Sequence, residues 1–186
     1  MNQSFPQFLP LTASSAAHPR VSNMTVYLLS APYPEVKGGH DPETAALLKE
    51  DYAGAHGELS GVTQYVYQHG RISDNEALSN SLLQLAIVEM THLDMLGDAI
   101  VTLGGSPSFE SGQHYWNAGN VNYTADLKEM LRADIQAETI GIATYERHIA
   151  EIRNETVKAL LARIVQDEKL HLRFFTETLS AVHTHD

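Results

Sequence analysis

The 186-residue sequence predicts an all-α protein, an antiparallel four-helix bundle over residues 41–186 preceded by a mostly irregular extension over residues 1–40. Three observations predict it. Apolar residues recur at helical spacing in four long stretches, helix-start and helix-stop residues bracket those stretches, and one polar segment, residues 104–123, separates the second from the third.

The extension carries five of the seven prolines and no helical periodicity, with one short apolar run, Val26 to Leu29, that suits a strand or a packed extended segment. Asp41-Pro42-Glu43 then opens helix A, with Asp41 as N-cap and Pro42 at the first helical position, and the pattern continues to about His69 with Gly70 as its stop. Ser73-Asp74-Asn75-Glu76 reads as a capping box for helix B, which runs through Leu82, Leu85, Leu93, Leu96, Ile100 and Leu103 to Gly104-Gly105. Residues 104–123 are rich in Gly, Ser, Asn and Pro. A connection of that length suits a crossover along the bundle from helix B to helix C. Helix C is expected from about Thr124 and helix D from about Glu155, each with an apolar stripe.

Composition removes several classes of function. Lys plus Arg number 12 against 23 Asp plus Glu, a net charge of −11, so nucleic acid and anionic membrane surfaces are not expected partners and metal cations are. With no cysteine there is no disulfide, no thiolate metal site and no internal Cys-ligated electron relay. The N-terminus lacks a signal-peptide pattern and no stretch is long and apolar enough to span a bilayer, so the reading is cytoplasmic.

The chemistry sits in an internal duplication. ELSGVTQY from Glu58 to Tyr65 and ETIGIATY from Glu138 to Tyr145 both read Glu-x-x-Gly-x-x-x-Tyr. Glu89-x-x-His92 follows 31 residues after the first Glu, and Glu168-x-x-His171 follows 30 after the second. A lone Glu-x-x-His is uninformative, since 14 Glu and 10 His in this length give about 0.75 such pairs by chance. The matched upstream Glu, Gly and Tyr make coincidence an inadequate account.

Residues three apart on a helix share a face, so each Glu-x-x-His can grip one small volume, and all four glutamates are placed near mid-helix on inward stripes. Four ionised carboxylates in an apolar core would each lose several kcal/mol of hydration. Two divalent cations cancel that charge when both imidazoles are neutral. Glu58, Glu89, His92, Glu138, Glu168 and His171 are therefore the candidate ligands of two metal ions, iron or manganese. Tyr65 and Tyr145 are candidates for bonding ligand carboxylates or relaying a proton in catalysis, against the alternative of core aromatics with a polar tip. Gly61 and Gly141 suit close packing or room for a small molecule. His56 and His148, which have no match in the other half, are read as exposed or ordinarily bonded.

On these residues, 41 to 182 resemble the ferritin-like di-metal carboxylate proteins, which include rubrerythrins, bacterioferritins, ferritins and manganese catalases. The segment ELSGVTQYVYQH also resembles small bacterial ferritin-like diiron-carboxylate proteins. The resemblance implies a ferritin-like bundle in which Glu58 and Glu138 each cap one metal, Glu89 and Glu168 bridge, and His92 and His171 complete the two positions. It further implies redox chemistry with peroxide or O2. The first expectation is an iron oxidase or peroxidase of rubrerythrin type, which without cysteine needs an external electron donor. The alternatives are a manganese catalase, which needs no donor, and iron binding without turnover. Typical manganese catalases have additional chain beyond the bundle. Met90 is read as core filler rather than an axial ligand, so no haem is expected. A homo-oligomer, most simply a twofold dimer, is expected, with the N-terminal extension packing across a partner.

Overall fold

A computed structural model describes residues 27–183 of the chain. Five α-helices form a ferritin-like bundle: α1 (Pro42–Ala53), α2 (Glu58–Arg71), α3 (Glu76–Thr102), α4 (Leu127–Glu151) and α5 (Glu155–His183). α2 packs mainly on α3, and α4 mainly on α5, so the bundle is two helical hairpins set against each other. No described helix is long and apolar enough to cross a membrane.

The first expected helix is broken. α1 ends at Gly54 and α2 begins after Gly57, because the chain folds back on the last turn of α1 so closely that a Cβ at Gly54 would run into the Glu50 carbonyl oxygen and one at Gly57 into that of Asp51. Ser60 Oγ donates to the Gly54 carbonyl at 2.9 Å and receives the indole N–H of Trp116 at 2.9 Å, which pins the turn. Glu58 therefore stands at the first position of a helix rather than near mid-helix, where the exposed N–H groups favour a carboxylate.

Other boundaries differ by a few residues. α2 continues through Gly70 to Arg71. The N-cap of α3 is Asn75, whose side chain accepts from Leu78 N at 3.0 Å, rather than Ser73. Asp126 caps α4, accepting from Glu129 N at 2.9 Å, so that helix begins at Leu127. The long crossover is not wholly irregular: it holds a short hairpin, β1 (Glu110–Ser111) against β2 (His114–Tyr115), and a 3-10 turn at Ala118–Asn120.

The described part of the N-terminal segment has no strand. Residues 27–41 run as a strap over this chain's own bundle; Val26 and the residues before it lie outside the described residues. Arg163 holds the strap by donating to Leu29 O at 2.7 Å and Ala31 O at 3.0 Å, and Leu29 N donates to Asp167 Oδ1 at 2.8 Å. Further along, Lys37 N donates to Thr156 Oγ1 at 2.9 Å and Asp41 N to Leu103 O at 2.9 Å.

Two apolar clusters fill the bundle. One gathers Leu48, Leu96, Ile100, Leu103 and Ile164, and the other Leu82, Leu85, Leu131 and Phe175. Between them, along α3, α4 and α5, lie buried polar residues. Met90 is outside both clusters, on the half-exposed face of α3, which corrects its reading as core filler.

Candidate metal centre

Glu58 of α2, Glu89 and His92 of α3, Glu138 of α4, and Glu168 and His171 of α5 converge in the seam between the apolar clusters, all buried. Their ligating atoms form two groups of four. Glu58, Glu89, His92 and Glu168 make one, and Glu89, Glu138, Glu168 and His171 the other, each with its atoms within 4.8 Å of one another. The two imidazoles face the cluster with Nδ1, their rings 6.1 Å apart between centroids and 25° from parallel.

The shared carboxylates divide their oxygens. Glu89 sets Oε1 at 2.9 Å from His171 Nδ1 and Oε2 at 3.5 Å from His92 Nδ1. Glu168 does the converse, Oε1 at 2.9 Å from His92 Nδ1 and Oε2 at 3.5 Å from His171 Nδ1. Each of these side chains spans both groups, whereas Glu58 and Glu138 belong to one each. Gly61 lets α2 approach, because a Cβ there would stand 3.2 Å from Glu89 Cγ; at Gly141 the nearest atom would be His56 O at 3.4 Å, an ordinary contact.

The donor set fits a pair of divalent ions, manganese or iron. Glu58 Oε2, Glu168 Oε1 and both His Nδ1 atoms are buried without a hydrogen-bond partner, although each faces the cluster. Two divalent ions would supply those partners and cancel four carboxylate charges. Without ions, protons take their place. Burial, reinforced by the charges of Glu89 and Glu168, pushes the Glu58 and Glu138 carboxyls well up. Burial also opposes ionisation of Glu89 and Glu168, but the charge of the facing imidazoles outweighs it and holds both low. Burial disfavours charge on His92 and His171 too, yet the surrounding carboxylates raise both imidazoles well above their usual range.

The tyrosines of the duplicated motif are exchanged between halves. Tyr65 of α2 donates to Glu138 of α4, and Tyr145 of α4 donates to Glu58 of α2. Behind the imidazoles stand residues that sequence reasoning missed. His171 Nε2 is 2.9 Å from Tyr27 O, while His92 Nε2 is 3.1 Å from Tyr33 Oη and 3.4 Å from Asp167 Oδ2. His148 is fully buried and bonded through Nδ1 to Asp51 Oδ2 at 2.7 Å, tying α1 to α4, and His56 is exposed.

A cavity of about 190 Å³ reaches the cluster. The four glutamates share its lining with the exposed His56, Asn122 and Gln136, so it joins the buried centre to the surface, and Trp116 closes over the bundle beside it. Asp134 stands in its wall, accepting from Gln68 Nε2 at 2.7 Å, and burial pushes its carboxyl up to about 7.

Known proteins share this fold. The crystal structure of wild-type KatB, a manganese catalase from Anabaena, superposes with a TM-score of 0.77 and 30% sequence identity, covering 83% of this chain and 79% of that one. The chain belongs to the manganese catalase family. The family description "manganese containing catalase" matches residues 32–110. A probable manganese catalase of Clostridium acetobutylicum is 26% identical over 164 residues, 76% of this chain and 72% of that protein. A bacterioferritin of Streptomyces coelicolor is 26% identical over 148 residues, 76% of this chain and 83% of its own length. As a manganese catalase family member, the chain is a di-metal carboxylate protein, and the relationship favours the catalase alternative over the rubrerythrin-type expectation.

Proposed function

We propose that this protein dismutes hydrogen peroxide at a dimanganese centre held by Glu58, Glu89, His92, Glu138, Glu168 and His171. The observation that carries this reading is the pair of four-residue groups that share Glu89 and Glu168, found in a chain whose likeness to a manganese catalase spans most of its length. Bound there, two manganese ions would alternate between the +2 and +3 states and so exchange an electron pair with peroxide.

The residues do the rest. Glu89 and Glu168, each with an oxygen toward either histidine, fix the separation of the two positions. Tyr65 and Tyr145 hold the terminal carboxylates of Glu138 and Glu58 by a donated hydrogen bond, which orients them. The cavity far exceeds the roughly 10–15 Å³ that one water-sized molecule needs, so peroxide can reach the centre. One peroxide loses two electrons and two protons to become O2, and a second takes up the same to become two waters. Asp134, in the wall of that path and close to neutrality in its ionisation, can hold such protons in transit.

The outer faces of α3 and of the hairpin expose Met90, Val101, Phe109 and Tyr115, apolar surface that a second copy would cover, and sedimentation of the purified chain tests this. The decisive experiment for function is peroxide consumption by the manganese-loaded protein with an oxygen electrode and no reductant. Half a molecule of O2 per peroxide is expected, sustained over many turnovers. A single oxidation followed by a stall until an electron donor is added would replace this reading with an iron peroxidase.

A further inference from the structure

The two metal positions have the same kinds of ligand, three carboxylates and one imidazole each, but their surroundings break the duplication. We propose that Tyr33, Asp167 and Arg163 form a positioning assembly behind His92 that makes its metal position the tighter-binding of the two. The proposal rests on the dinuclear reading above.

An imidazole that binds metal through Nδ1 as a neutral ring carries its hydrogen on Nε2, and the acceptor of that hydrogen sets the basicity of the ligating nitrogen. Behind His171 the acceptor is the Tyr27 carbonyl at 2.9 Å, an uncharged dipole. Behind His92 the nearer acceptor is the Tyr33 hydroxyl oxygen at 3.1 Å, with Asp167 Oδ2 itself at 3.4 Å. Tyr33 gives its own hydrogen to Asp167 Oδ2 at 2.6 Å, leaving a lone pair free to accept from His92. Two hydrogen bonds thus run in one direction from the imidazole to a fully buried carboxylate, and bonds in series polarise one another.

Asp167 is kept as an anion by Arg163 Nη1 at 2.6 Å and by the Leu29 N–H on its other oxygen. The guanidinium offsets part of that charge. It spends its other donors on Leu29 O and Ala31 O, and its Cζ lies 4.3 Å above the Tyr33 ring, so the negative end of the pair is the end turned toward His92.

The asymmetry is written in the duplication. Asp167 immediately precedes Glu168, and the matching residue before Glu89 is Val88, fully buried and unable to accept a hydrogen bond. The first half supplies no partner for His171, and the strap backbone takes that place.

The test uses the full chain and Mn2+ alone, with free ion read by electron paramagnetic resonance. Glu138→Ala leaves the His92 position intact, and Glu58→Ala leaves the His171 position. The first variant is expected to bind one ion 10–100-fold more tightly than the second, the range typical for partners behind a ligand. Tyr33→Phe keeps the ring against His92 and Arg163 and removes only the hydroxyl. It should remove most of the advantage in the Glu138→Ala background, Asp167 Oδ2 at 3.4 Å from His92 Nε2 being the acceptor left, and leave the Glu58→Ala affinity unchanged. If neither single variant holds an ion, the two-step titration of the otherwise unaltered protein decides, and there Tyr33→Phe should weaken the first step about tenfold or more and spare the second. Equal affinities of the two positions, or equal loss at both, overturns the proposal and leaves the dinuclear centre standing. Failure of the unaltered protein to bind two ions overturns the centre itself.

Discussion

Tyr65 donates its hydroxyl hydrogen to Glu138 on the opposite hairpin, not to Glu58 seven residues before it on its own helix. Tyr145 returns the arrangement to Glu58. Burial first, and then the neighbouring carboxylates, push both hydroxyls well up, so both remain donors at any ordinary pH.

Each tyrosine therefore serves the metal position of the other half. Tyr65→Phe should weaken the position of Glu138 and His171 by about 10–100-fold, and Tyr145→Phe that of Glu58 and His92. Chelator competition followed by elemental analysis reads the loss. A single tyrosine change that empties both positions equally would contradict the pairing.

Metal loading should expel protons. In the metal-free protein at pH 7, Glu58, Glu138, His92 and His171 are all shifted toward their protonated forms, so two Mn2+ ions should displace about four protons, counted in a pH-stat titration. Raised carboxyls and raised imidazoles have the same sign for folding: the stability they add at low pH is lost as pH rises through the folded values. Chelator should accordingly lower the melting temperature more at pH 8 than at pH 6. Release of fewer than about two protons would mean that the cluster is already ionised without metal.

Gly61 and Gly141 occupy matching places and should respond differently to alanine. At Gly61 the new methyl meets Glu89 Cγ at 3.2 Å, so Gly61→Ala should displace a shared carboxylate and reduce metal affinity and turnover about tenfold. Gly141→Ala meets only His56 O at 3.4 Å and should gain up to about 1 kcal/mol of helix stability with metal binding kept. Denaturant unfolding and metal analysis of the two variants check the contrast.

Asp134 should leave a mark on stability against pH. Its carboxyl, raised by burial from 3.8 to about 7, binds a proton in the folded chain that the unfolded chain releases, so its contribution falls as pH rises across that window and is constant above it. Asp134→Asn keeps an acceptor for Gln68 and removes the ionisation. Relative to the unaltered protein, the variant should gain stability from pH 5 to pH 7 and level off above it, by up to about 1.4 kcal/mol per unit within the window. Parallel profiles would show that Asp134 does not titrate there.

The six clustered side chains were legible because they repeat: Glu58 and Glu138 each with a Gly and a Tyr behind, and two Glu-x-x-His pairs at nearly equal distance. Helix spacing turns such a repeat directly into a shared face. Tyr33 and Asp167 were not legible, since their meeting depends on where a segment without periodicity lies in space. The i, i+4 spacing of Arg163 and Asp167, with Asp167 beside Glu168, was the signal available. The break before Glu58 was also missed, because Asp41 to His69 carries a helical pattern throughout and only Gly54 and Gly57, three residues apart, interrupt it.

The hairpin formed by α2 and α3 and the one formed by α4 and α5 each pack chiefly within themselves, and the six candidate ligands sit where the two meet. Neither hairpin carries a whole metal position, since each group of four draws on both. Each candidate position is therefore complete only once the two hairpins have docked. Ions bound there would act on the reverse process: separating the hairpins would tear both positions apart at once, so metal should lengthen the lifetime of the folded chain, which unfolding rates with and without chelator would read.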